Sequence, residues 1–151
     1  MEFKSKNSEQ TYELAYKLAK YIKGGDIILL NGDLGAGKTT FVKGFAKEVG
    51  VKIPVTSPTF NLLKTYETDN YTLVHVDAYR LEGGSFDELY DYANEENVIF
   101  IEWSNCLADQ ELIEQHLAID IKYISKNQRW YIISAKGERY ENLLKELSNE
   151  N

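Results

Sequence analysis

Asp26-Ile27-Ile28-Leu29-Leu30-Asn31-Gly32-Asp33-Leu34-Gly35-Ala36-Gly37-Lys38-Thr39-Thr40 is the stretch whose reading decides the fold of this chain. Residues 26–31 hold a continuous branched apolar run too short for a helix, and it reads as a strand buried on both faces. Gly32 to Thr39 then match the phosphate-loop spacing G-x-x-x-x-G-K-[ST]. Glycines at this spacing let the backbone amides turn toward one point, an anion nest at the start of a helix whose dipole also favours phosphate. That makes Asp33, Leu34, Gly35, Ala36, Gly37, Lys38, Thr39 and Thr40 the candidate phosphate contacts. Lys38 is placed to reach the β- and γ-phosphates, and the Thr39 hydroxyl to take a place on magnesium. The bland alternative, a plain glycine turn, has to ignore the context: a buried strand comes before the loop. A helix follows over Thr39 to Val49, with Phe41, Val42, Phe45, Ala46 and Val49 on one side.

Upstream, Ser8 is expected to cap a helix whose Leu14, Ala15, Leu18, Ala19 and Ile22 form one buried stripe, ended by Gly24-Gly25. Downstream, Phe60 to Glu67 and Tyr71 to Asp77 read as two strands turning at Thr68-Asp69-Asn70. Period-two alternation puts Tyr71, Leu73, His75 and Asp77 on one face of the second strand and Thr72, Val74 and Val76 on the other. Ser85, with Glu88 completing a capping box, is expected to start a short helix through Tyr92. Val98-Ile99-Phe100-Ile101 is a second continuous apolar strand and runs directly into Glu102. Leu117 to Ile124 and Arg129 to Ser134 form a second hairpin around Ser125-Lys126-Asn127-Gln128. Arg139 to Leu147 is an amphipathic helix with Tyr140, Leu143, Leu144 and Leu147 inward. Helices interleaved with buried and alternating strands predict an α/β fold with a mixed, partly antiparallel sheet.

A phosphate loop with magnesium needs an acidic side chain at the end of a neighbouring strand. Glu102 ends an apolar strand, at the edge where ligands of open α/β sheets gather, and Asp77 also lies at a strand terminus, ending Tyr71 to Val76. Glu102 is assigned to the metal, and Asp77 to orienting the metal's water or the attacking water. The alternative for each is a helix cap or a surface charge after a strand, and Asp77, before Ala78-Tyr79, could also start a turn. Between the loop's helix and the first hairpin, Val55-Thr56-Ser57-Pro58-Thr59-Phe60 is rich in hydroxyls and stiffened by proline. It reads equally as a switch closing on the γ-phosphate or as an ordinary connection. Trp103, beside Glu102, reads as core packing in preference to a nucleotide-responsive contact.

Composition narrows the classes. The 151 residues suit one domain, 1–151. Seventeen basic against twenty-four acidic side chains leave a net charge of −7, contrary to the clustered positive charge with which proteins engage nucleic acid directly. No apolar run approaches the roughly 20 residues of a membrane span, and the N-terminus lacks a signal-peptide core. One cysteine and two histidines exclude a disulfide framework and a zinc motif, and fit a reducing cytoplasm.

Read together, Gly32-Asp33-Leu34-Gly35-Ala36-Gly37-Lys38-Thr39-Thr40, Ser57-Pro58-Thr59-Phe60, His75-Val76-Asp77-Ala78-Tyr79-Arg80 and Ile101-Glu102-Trp103 resemble the TsaE family in order and spacing. That family is the small ATPase subunit of the bacterial machinery for threonylcarbamoyladenosine in tRNA. The likeness runs from the Ser8 helix to the Arg129 strand. It implies a P-loop NTPase-like three-layer fold and magnesium-dependent hydrolysis of ATP in support of a TsaB–TsaD heterodimer that handles the tRNA; with no obvious arginine finger in the loop region, hydrolysis is expected to be slow alone. It further implies that Thr39 and Glu102 hold magnesium, that Asp77 supports hydrolysis, and that Ser57, Pro58, Thr59 and Phe60 act as a switch. Ser8, Thr11 and Arg129 are implied to lie near the nucleotide. Two rival classes share the loop: a small-molecule or nucleoside kinase, and a non-hydrolysing module that uses nucleotide only to order the switch. A chain with only Arg80, Arg129 and Arg139 has few arginines for a kinase lid.

Overall fold

The computed structural model describes residues 1–33, 35–58, 62–81, 84–108 and 110–150. Leu34, Thr59 and Phe60 lie outside the described residues. The elements run β1 (Glu2–Ser5), α1 (Ser8–Ala19), β2 (Ile27–Asn31), α2 (Lys38–Glu48), β3 (Leu63–Glu67) and β4 (Thr72–Asp77). They continue with α3 (Leu89–Tyr92), β5 (Asn97–Glu102), β6 (His116–Ser125), β7 (Gln128–Lys136) and α4 (Glu138–Asn149). Among the described residues the strands form one seven-stranded sheet, ordered β1-β7-β6-β2-β5-β4-β3. The inner strands β6, β2, β5 and β4 are mutually parallel, whereas β1, β7 and β3 pair antiparallel at the two margins. The mixed sheet predicted from the apolar runs is therefore the observed one.

Side-chain alternation divides the core in two. Ile28, Leu30, Leu73, Val98, Phe100, Leu117 and Ile119 face α1, α2 and α4, where Leu14, Leu18, Phe41, Phe45, Leu143 and Leu147 complete the packing. Phe45 and Phe100 meet with ring centroids 4.7 Å apart. On the other face, Leu29, Val74, Val76, Ile99 and Ile101 pack beneath a thinner layer that includes Ala78, Leu89, Leu107 and Ile113. The expected partition of β4 holds: Leu73 and His75 lie on one side and Val74 and Val76 on the other, with all four fully buried. No helix among the described residues is long and apolar enough to cross a membrane.

Two capping expectations are corrected. Asn7, not Ser8, caps α1, because its backbone is extended (φ −161°) and its side chain accepts from the Gln10 amide at 3.0 Å. Ser85 and Glu88 form no capping box. Helix α3 begins only at Leu89, and Glu88 makes no side-chain cap. Consecutive three-residue turns, Leu89 N–H to Phe86 O and Tyr90 N–H to Asp87 O, bind the amides locally instead. The short strand β1 has no sequence-level expectation behind it. Four residues with Phe3 as their one apolar side chain carry too weak a signal, and their pairing is set by β7 on a distant part of the chain.

Candidate functional site

The loop leaves β2 at its C-terminal end, between β5 and β6, where the sheet's connections diverge in opposite directions. Such a divergence opens a crevice at the strand termini. Ala36 N–H closes a turn onto Asp33 O at 2.9 Å. Gly37 then caps α2 with φ 112°, in the left-handed region that only glycine enters without strain. Helix α2 has no side-chain cap and no acidic residue in its first turn, so its leading amides are left for an anion.

Opposite the loop, β4 and β5 run parallel with Asp77 directly beside Glu102. Parallel pairing turns their side chains to the same face, the one shared with Leu73 and Phe100 and therefore with α2. Glu102 is buried, at 3% exposure. Its Oε2 lies 2.5 Å from Nε2 of the fully buried His75. Asp77 Oδ1 accepts from the Tyr79 amide at 3.1 Å. Gly35, Gly37, Lys38, Thr39, Thr40, Ser57, Asp77, Glu102 and Trp103 line one cleft of about 350 Å³, within the range of ligand pockets, ~300–1,000 Å³. A larger cavity, about 700 Å³, lies near Asn31, Gln110 and His116. It does not contain the loop's leading amides or the carboxylate pair, so chemistry and not volume singles out the smaller cleft.

Lys38 is buried, donates from Nζ to Gly32 O at 2.6 Å, and stands 3.9 Å from the centroid of the Trp103 ring. Burial pushes its ammonium below the ordinary lysine pKa, and the charges of Glu102, Asp77 and Asp33 pull it back up. Trp103 has a left-handed backbone, φ 58°, and its ring lies 5.0 Å from that of Tyr79. It packs on the margin of the thinner core layer while forming a wall of the cleft, so the expectation of packing describes only half of its surroundings.

On the other side of Gly37 and Thr40, Asn7, Ser8, Thr11, Lys126, Asn127, Arg129 and Tyr131 enclose a second cavity of about 220 Å³. Arg129 is thus brought together with Ser8 and Thr11 of α1 beside the loop. Arg129 donates to Ala36 O at 2.7 Å and to Ser125 O at 2.7 Å, tying the β6–β7 turn to the loop. The Thr11 hydroxyl is held by Tyr131 at 2.8 Å and Ser5 at 3.2 Å. Ser57 reaches the cleft and Pro58 is buried, while Thr56 upstream is anchored at 3.3 Å by the Tyr66 phenol. Asp33 borders another cavity, together with Asp120 and Lys122.

His75 enters the site with no role expected of it from the sequence, where its two-residue spacing from Asp77 is the available signal. Asn7, Lys126, Asn127 and Tyr131 carried no motif at all.

The sheet order and the loop between β2 and α2 define a P-loop NTPase-like α/β domain. A family model described as "Threonylcarbamoyl adenosine biosynthesis protein TsaE" matches residues 5–131. The chain belongs to the TsaE family. It is 40% identical over 149 residues to the tRNA threonylcarbamoyladenosine biosynthesis protein TsaE of Bacillus subtilis, spanning 98% of this chain and 94% of that one. It is 39% identical over 125 residues to the TsaE protein of Aquifex aeolicus, spanning 82% and 87%. The crystal structure of Bacillus subtilis YdiB superposes with a TM-score of 0.84 at 36% identity, covering 99% of this chain and 95% of that one.

Proposed function

We propose that this chain binds ATP with magnesium in the cleft between the phosphate loop and the Asp77–Glu102 pair. It hydrolyses that ATP to support threonylcarbamoyladenosine formation on tRNA by a TsaB–TsaD partner complex in the cytoplasm. The observation that carries this reading is the convergence on one cleft of the α2 N-terminus, Lys38, Thr39 and two acidic residues paired across parallel strands. The donor set fits the metal, since a hydroxyl and a carboxylate are the hard oxygen ligands magnesium takes alongside phosphate. Thr39 and Glu102 would hold it, and when bound it supplies charge neutralisation on the transferring phosphate. The rest falls to the chain itself. The loop amides and Lys38 stabilise negative charge on the phosphates. Asp77, with Oδ1 occupied by the Tyr79 amide, presents Oδ2 to orient the attacking water. Ser57 approaches from the switch segment, and Ser8, Thr11 and Arg129 border the space beside Gly37 for the nucleoside end.

Among the described residues no arginine lines the cleft, so the transition state lacks a cationic finger until a partner docks. The test is phosphate release from ATP with no acceptor present, measured alone and with TsaB–TsaD. Slow release that the partner pair accelerates, and that Glu102→Gln suppresses, is expected. Release that occurs only when an acceptor molecule is added would favour a kinase instead. No magnesium-dependent binding of ATP by calorimetry would overturn the whole reading.

A further inference from the structure

The fully buried imidazole of His75 is a titratable side chain that the mechanism above leaves without a task. Burying a polar ring where an aliphatic side chain would pack costs free energy unless its nitrogens are bonded. Among the described residues only one is: Nε2 meets Glu102 Oε2 at 2.5 Å, while Nδ1 is buried with no partner. A histidine serving the core alone gains nothing from such half-satisfaction. The geometry explains it differently. His75 lies two residues before Asp77 on the same face of β4, and Asp77 is in register with Glu102. The imidazole therefore approaches the Glu102 carboxylate from the core side, opposite the open cleft. With Oε2 taken by the ring, Oε1 is the oxygen left for a ligand.

Resting on the magnesium-nucleotide reading, we infer that His75 is a positioning residue: it holds the Glu102 carboxylate in one orientation and so sets the site's affinity for a divalent cation. Partners that orient a metal-binding side chain typically change metal affinity or activity about 10–100-fold when removed. His75→Leu fills the space without a donor, and His75→Gln keeps an amide N–H near the position of Nε2.

The experiment titrates Mg²⁺ into the full chain with a non-hydrolysable ATP analogue, following binding by calorimetry. In His75→Leu the Mg²⁺ concentration for half-maximal binding should rise about 10–100-fold, with analogue affinity in EDTA unchanged. His75→Gln should recover most of that loss. Half-saturation in His75→Leu equal to wild type would overturn the inference, as would equal impairment of both variants. Wild-type binding that ignores Mg²⁺ would instead overturn the magnesium-nucleotide reading itself. A second measurement needs no substitution at position 75. The imidazole N–H proton of His75, assigned by proton NMR against His116→Gln, should shift when Mg²⁺ and the analogue are added. A resonance that stays in place rules the role out.

Discussion

Lys38→Ala separates a ligand-site lysine from a structural one, because the two roles predict opposite balances of stability and binding. In the fold, the ammonium keeps one hydrogen bond to Gly32 O at 2.6 Å and one contact with the Trp103 ring at 3.9 Å. A hydrogen bond to a charged group is worth about 1.5–3 kcal/mol, and a cation–π contact about 0.5–2 kcal/mol. Against them stands the loss of hydration, and the downward shift of the lysine pKa says that desolvation outweighs what the neighbouring charges return. The opposing terms are of similar size, so truncation should cost the free protein no more than about 1 kcal/mol. For a domain of this length that is a drop of roughly 2–4 °C in Tm. Phosphate binding has no such compensation. Loss of one charged hydrogen bond corresponds to a Kd roughly 10–150-fold weaker. Differential scanning fluorimetry without nucleotide, paired with calorimetry of ATP, measures both. A Tm that falls by more than about 8 °C while ATP affinity is retained would refute the assignment of Lys38 to the phosphates.

Two further outcomes test the fold. Phe100 is fully buried against Phe45, so Phe100→Ala should cost about 3–5 kcal/mol and lower Tm by about 6–20 °C; a loss under about 1 kcal/mol in urea titrations would contradict this core. Burial also raises the phenol pKa values of Tyr71, Tyr131 and Tyr140. The folded state therefore keeps protons that the unfolded chain releases above about pH 10. The corresponding stability is present below that pH and lost as pH climbs toward the raised values, by about 1.4 kcal/mol per pH unit for each such phenol. Urea midpoints should accordingly fall between pH 9 and 11, and midpoints that stay flat would show these phenols to be solvated.

Much of the architecture was legible because its signals are local. The run Ile27–Leu30 is too short and too branched for anything but an inner strand, and the glycine spacing of Gly32–Gly37 needs no partner to be recognised. The acids ending two strands, Asp77 and Glu102, are likewise written in sequence order, and their side-by-side register follows once β4 and β5 pair in parallel. Capping is less legible because several residues compete for the same amides: Asn7 precedes Ser8 in extended backbone, and local carbonyls serve the turn before α3.

Periodicity and motif spacing by themselves determined the sheet's buried strands, the helix behind the loop and the glycine-rich turn between them, because each depends on residues within a few positions of one another. Only the tertiary structure decided that His75 meets Glu102, that Lys38 lies against Trp103, and that Arg129 reaches back 93 positions to the Ala36 carbonyl. Those contacts join residues whose spacing carries no period. They exist because the sheet order, fixed by burial of two apolar faces at once, brings the ends of β4 and β5 and the β6–β7 turn to the same mouth.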